Sequence, residues 1–266
     1  MLPAIFVSHG APTFPMTVVP ARTFLEGLAA TLPERPRAIL VASAHWETAV
    51  PAVTTNSVNE TIHDFSGFPA ELYQIEYPAP GAPWLAERAA ALIEAGGGEV
   101  ARDTRRGLDH GAWVPLRLIY PQADVPVVQL SVQSARGPDY HFRLGRLLAP
   151  LRGEGVLIVG SGSFTHDLSS FRQYYHDLRA PAPDWVDGFA DWMSRAIAEG
   201  RTDDLLAYRD RAPEAVRNHP TEEHLLPLFV AMGAGEGGTS RHLHASTTHG
   251  ILRMDAFAFG DTVAAV

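Results

Sequence analysis

The 266-residue chain contains no cysteine. That absence removes disulfides, thiolate metal sites and cysteine nucleophiles together, so any metal must be held by nitrogen and oxygen donors. Positive charge is also in deficit. A formal net charge of −9 argues against nucleic acid or an anionic membrane surface as the main partner. No apolar run is long enough to span a bilayer. The apolar N-terminus reaches His9-Gly10 without a basic leader, so it reads as a first strand rather than a secretory signal. A cytoplasmic protein is expected.

What is present suits a packed core. With 46% hydrophobic and 19% charged residues the chain is not disordered by composition. Its length fits one domain over residues 1–266, acting as a monomer or small homo-oligomer. Short β-branched apolar runs at residues 4–8, 39–42, 125–132 and 156–160 read as buried strands, with another at 49–54. Amphipathic helices are expected at 21–32, 84–94, 112–120, 140–151, 184–199 and 221–233, the last disturbed by Pro227. Residues 56–69 form a long polar loop, and the charged stretch 201–218 is peripheral. Two closing runs, 242–247 and 251–259, read as paired strands at a sheet edge. This alternation implies an α/β fold in three layers, with a central mixed, largely parallel sheet flanked by helices.

Three of the buried runs end in a polar stretch bearing histidine: Ser8-His9-Gly10, Ser43-Ala44-His45-Trp46, and Ser161-Gly162-Ser163-Phe164-Thr165-His166. Ligands in open α/β sheets bind beyond the carboxyl ends of the strands. The three histidines therefore read as one site assembled from distant parts of the chain. Each taken alone is either a ligand or a satisfied buried polar group. His9 and His45 in matching contexts favour a metal, for which imidazole is a common ligand. His166 lies in a glycine–serine loop and is open between ligand and acid/base group. His224 sits at a helix start, with Glu223 beside it as an alternative ligand. His110, flanked by Asp109 and Gly111, reads as a substrate contact. His63-Asp64 reads as a polar turn, and the remaining histidines as structural or exposed.

The ordered set Ser8-His9-Gly10-Ala11-Pro12, Ser43-Ala44-His45-Trp46, His63-Asp64-Phe65-Ser66-Gly67-Phe68-Pro69, Tyr77-Pro78-Ala79-Pro80-Gly81, Leu108-Asp109-His110-Gly111-Ala112-Trp113, Gly160-Ser161-Gly162-Ser163 with Thr165-His166, and His219-Pro220-Thr221 with Glu223-His224 spans nearly the whole chain. It resembles the class III extradiol ring-cleavage dioxygenases, in the DOPA 4,5-dioxygenase branch. The resemblance implies that His9, His45 and His224 bind one divalent metal ion. His166 would be the acid/base histidine or a fourth ligand, and His110 a catalytic group facing substrate. His219, read from its place near His224, is a residue supporting the site, with a substrate contact as the other reading. It also implies Fe(II) as the active metal, a small aromatic diol and O2 as reactants, and a muconic-semialdehyde-type product. Relatives acting on protocatechuate use a glutamate where this chain has His224. An all-histidine site suits zinc as well as ferrous iron, so zinc is expected in protein as isolated. Two rivals stand beside this reading: a zinc hydrolase, and a non-enzymatic binding protein of the same fold.

Overall fold

Strand-forming residues that are apolar on both sides build the centre of the molecule. The sheet contains β1 (Ala4–Ser8), β2 (Ala38–Glu47), β3 (Ala52–Thr54), β4 (Ala101–Asp103), β5 (Val127–Val132), β6 (Val156–Gly162), β7 (Ser240–His244) and β10 (Ala256–Phe259). Between the last two, β8 (Thr247–Thr248) and β9 (Leu252–Arg253) form a separate ribbon. The helices are α1 (Pro20–Thr31), α2 (Pro83–Ala95), α3 (His110–Ile119), α4 (Gly137–Leu148), α5 (Pro150–Gly153), α6 (Leu168–Tyr174), α7 (Asp184–Ala198), α8 (Thr202–Leu206), α9 (Tyr208–Arg211), α10 (Ala215–Asn218) and α11 (Leu226–Ala234). These come from a computed structural model that describes residues 1–260; residues 261–266, the end of the expected domain, lie outside the described residues.

The strand order is β4-β3-β5-β2-β6-β1-β10-β7. β5, β2, β6 and β1 are mutually parallel, whereas β3 meets β5, and β10 meets both β1 and β7, in antiparallel fashion. Successive side chains leave a strand on opposite faces. Thus Ala4 and Phe6 pack toward α2, α4, α7 and α11, while Ile5 and Val7 pack toward α1 and α3. The result is the mixed, mostly parallel three-layer α/β arrangement expected from the sequence.

Several local expectations change. Pro227 does not kink a helix, because α11 begins at Leu226 and places the proline in its first turn, where no backbone N–H is needed. Residues 221–225 approach it as turns. Every residue of α11 is buried, as expected of a helix apolar all round. The stretch 201–218 is not simply peripheral: Tyr208 is fully buried against Phe229 and Phe189. β2 runs two residues beyond His45, with a register irregularity against β5 between Ala42 and Glu47. Such irregularities re-aim side chains beside sites. Finally, β10 is interior, between β1 and β7, so only β7 of the closing pair lies at the edge.

Candidate metal centre

The parallel strands β2, β6 and β1 are adjacent, so their carboxyl ends bring His45, the β6 loop and His9 together. His9 follows β1 directly, and its N–H bonds to the Gly162 carbonyl at 2.9 Å. His224 arrives from the other layer, where its own carbonyl accepts the Ser163 N–H at 2.9 Å. His45 Nε2 then lies 3.0 Å from His9 Nε2 and 3.2 Å from His224 Nε2.

The partners of the opposite ring nitrogens decide where the protons are. Ser161 Oγ donates its one proton to the Gly111 carbonyl, so it can only accept from His9 Nδ1–H, at 3.1 Å. Glu223 Oε1 lies 3.0 Å from His224 Nδ1, and Asp64 Oδ2 lies 3.5 Å from His45 Nδ1. A carboxylate accepts, so His224 Nδ1 carries hydrogen, while the Asp64–His45 approach is an ion-pair contact. The Nε2 atoms of His9 and His224 are then bare lone pairs, both turned toward Nε2 of His45. Lone pairs aimed at one another with no proton between them repel, and a cation among them removes the repulsion. The donor set fits a divalent metal ion, with the outer partners fixing each ring as such partners do in metal sites.

Electrostatics agree. Burial, and then the surrounding imidazoles, hold His9 and His224 well below the ordinary histidine range. Burial followed by His110 takes His45 down to about 3, against the pull of Asp64. These rings are neutral at pH 7, the state in which imidazole binds a metal.

The other expected residues separate into distinct positions. His110 is the first residue of α3, 3.8 Å from His45 and 5.5 Å from His9 between ring centroids. Its Nδ1–H donates to Asp64 Oδ1 at 2.9 Å, so Nε2 is the nitrogen left for a ligand. His166 lies with its ring flat on that of His224, centroids 3.4 Å apart and planes 13° apart. Its nitrogens group with Glu223 and His224, not with the His9–His45–His224 set. His219 does not reach the open side: it is fully buried between Phe189 and Tyr208, and its Nε2–H donates to the Phe164 carbonyl at 3.0 Å. Of the two readings of His219 the structure thus favours the supporting one, a prop beneath the His166 loop, over the substrate contact.

Residues that sequence reasoning left aside complete the frame. Asp109 is fully buried and caps α3 through the Ala112 N–H. It also accepts from Ser43 Oγ at 2.6 Å, from Arg106 at 2.8 Å and from Gln129, tying the start of α3 to β2. Its place directly before His110 was the available signal. Ser161 and Asp64 both lie inside the motifs quoted above, yet nothing in their spacing told that each faces a particular imidazole.

Gly162 has a steric task. A Cβ there would collide with the His224 carbonyl. Gly162→Ala is therefore expected to push His224 out of line and weaken metal binding by about 10–100-fold, the size seen for disturbed outer partners. Chelator competition measures this, and an unchanged affinity would refute the steric argument.

A family model for the catalytic LigB subunit of aromatic ring-opening dioxygenase matches residues 4–254. The chain belongs to that family and is an extradiol ring-opening dioxygenase. This membership sets aside both the hydrolase and the non-enzymatic reading. Among its relatives, the 4,5-DOPA dioxygenase extradiol of Beta vulgaris is 46% identical over 261 residues, covering 97% of this chain and 96% of that protein. A protein of the same name from Escherichia coli K12 is 39% identical, covering 89% and 86%. The crystal structure of an uncharacterized protein from Escherichia coli K12 aligns with a TM-score of 0.78 at 33% identity, over 98% of this chain and all of that one. Among the described residues no helix is long and apolar enough to cross a membrane.

Proposed function

We propose that residues 1–266 form one catalytic domain in which His9, His45 and His224 hold a single Fe(II), and that the enzyme opens a catechol, of which DOPA is a candidate, beside its paired hydroxyls to give a muconic-semialdehyde-type product. The single observation that carries this reading is the convergence of the Nε2 atoms of His9, His45 and His224 at the carboxyl edge of the sheet. The relatives named 4,5-DOPA dioxygenase extradiol support the substrate class.

Ferrous iron bound there would relay electrons from the diol to O2, which zinc, lacking redox chemistry, would not do. The protein's own contribution is placement and proton movement. His166 starts unprotonated, because burial and then His45 and His110 press its pKa down to about 3. It would take a hydroxyl proton from the catechol as negative charge on the bound diol offsets that depression, and later return it. His110 offers Nε2 to the substrate as a hydrogen-bond acceptor, while Phe65 stands edge-on to it with centroids 5.6 Å apart. Holding both reactants beside one another removes much of the entropic barrier. His219 serves by supporting the Phe164 carbonyl, as above.

The test is oxygen uptake by iron-loaded protein across a panel of catechols that includes DOPA. The expected result is uptake with at least one catechol, matched by one ring-opened semialdehyde per O2. Uptake with none, or a ring cut between the hydroxyls, would refute the proposal.

A further inference from the structure

The segment between β3 and α2 carries a carboxylate that touches more than one ring of the site. Asp64 is partly buried, and its two oxygens face two different imidazoles. Oδ1 accepts the backbone N–H of His110 at 2.9 Å and also His110 Nδ1–H at 2.9 Å. Oδ2 lies 3.5 Å from His45 Nδ1. The two rings that share this carboxylate are neighbours, 3.8 Å apart between centroids.

Asp64 is not free to turn away. Its segment is clamped to α3 and the strand-like residues before it: Ile62 N–H bonds to the Leu108 carbonyl at 2.7 Å, Leu108 N–H to the Glu60 carbonyl at 2.8 Å, and Trp113 Nε1–H to the Ile62 carbonyl at 3.0 Å. Two N–H donors converge on Oδ1 and fix that oxygen as an acceptor.

We propose that Asp64 is a positioning residue that sets the tautomers of His45 and His110 together, so that both rings carry hydrogen on Nδ1 and present Nε2 to the reaction. This rests on the functional reading given above, in which His45 binds the metal and His110 meets the substrate. One carboxylate then couples the metal's ligand to the substrate's contact. The chemistry of the alternative side chains makes the point. Glutamate keeps two acceptor oxygens on a longer arm. Asparagine keeps one acceptor and gains a donor. If its oxygen stays with His110, its NH2 opposes Nδ1–H of His45, which must move its proton to Nε2 and so block the ligating atom. If the amide turns over, His110 is the ring that must switch. Asparagine satisfies one histidine and never both.

His45, Asp64 and His110 also lie close enough to hold a cation of their own. The Oδ1 position is already taken by two donors, so protons rather than a second metal fill this space.

Long-range proton–nitrogen NMR on metal-free and zinc-loaded protein tests the assignment without any turnover. The expected spectra place hydrogen on Nδ1 of both His45 and His110. Asp64→Asn should move the proton of one of them and weaken zinc binding by about 10–100-fold, while the thermal midpoint of the metal-free protein holds. Asp64→Glu should recover part of the affinity. Hydrogen on Nε2 of either ring in the wild type overturns the proposal alone. So does an Asp64→Asn variant with wild-type tautomers and affinity, or an affinity loss matched by an equal fall in metal-free stability. Two zinc ions per chain would make Asp64 a ligand and overturn it as well. A wild type that binds no zinc at the histidine cluster removes the metal centre and this proposal together.

Discussion

His166→Ala is expected to keep one metal ion per chain, still bind catechol, and lose turnover by about 10²–10⁴-fold, the usual size of a general acid/base contribution. The geometry separates this role from that of a ligand. His166 lies face-to-face with His224, so its ring stacks on that ring instead of pointing a nitrogen among the three convergent Nε2 atoms. Its backbone N–H is held by the Asn218 carbonyl at 2.8 Å, and Asp167 caps α6 directly after it. The loop is therefore anchored independently of the imidazole, and trimming the ring should leave the loop's course intact. Metal content and single-turnover oxygen consumption on one preparation check the result. An empty site in the variant would make His166 an essential ligand. A metal-replete variant with normal turnover would deny it any role in the reaction.

The general architecture was legible because the buried strands are short, apolar and β-branched, and because a polar break after each marks the sheet's carboxyl edge. That pattern gave His9 and His45 their places before any tertiary contact was known. It could not give the pairing of β10 between β1 and β7, since strand order depends on contacts distant in sequence. Nor could it decide between a supporting role and a substrate contact for His219. Beside Pro220 and close to His224 it looked like part of the site, yet its ring is enclosed by Phe189 and Tyr208, residues from α7 and α9. Tyr208 was hidden for a related reason: its helix is short and charged, and a single inward aromatic leaves no periodic signal.

Asp64 shows a different limit. Sequence reading made His63-Asp64 a polar turn, and polar turns are common in long loops. Only the fold discloses that this loop is pinned to Leu108 and Trp113, and that the carboxylate then meets the first residue of α3. Similarly, Gly162 reads in the sequence only as part of the glycine–serine loop before His166. In the structure it is the end of β6, where the backbone of His224 passes too close for any side chain.

The second large effect concerns the metal itself. In the proposed three-imidazole site zinc would outcompete ferrous iron, so exchange at that one position should switch the enzyme completely off rather than slow it. No residue of the cluster can replace the lost redox chemistry, since neutral imidazoles donate lone pairs and protons but no electrons to O2. Protein stripped of metal is expected to take up zinc at His9, His45 and His224, retain its fold and bind catechol, yet consume no oxygen.

The most direct measurement is a titration of metal-free protein with Fe(II), anaerobically loaded and then assayed for catechol-dependent oxygen uptake, with and without prior Zn(II). The account predicts activity that rises linearly and levels off at about one iron per chain, and that is abolished by about one prior equivalent of zinc, as a single three-nitrogen site requires. Full activity in zinc-only protein, or iron-dependent activity that zinc at the histidine cluster leaves untouched, would contradict it.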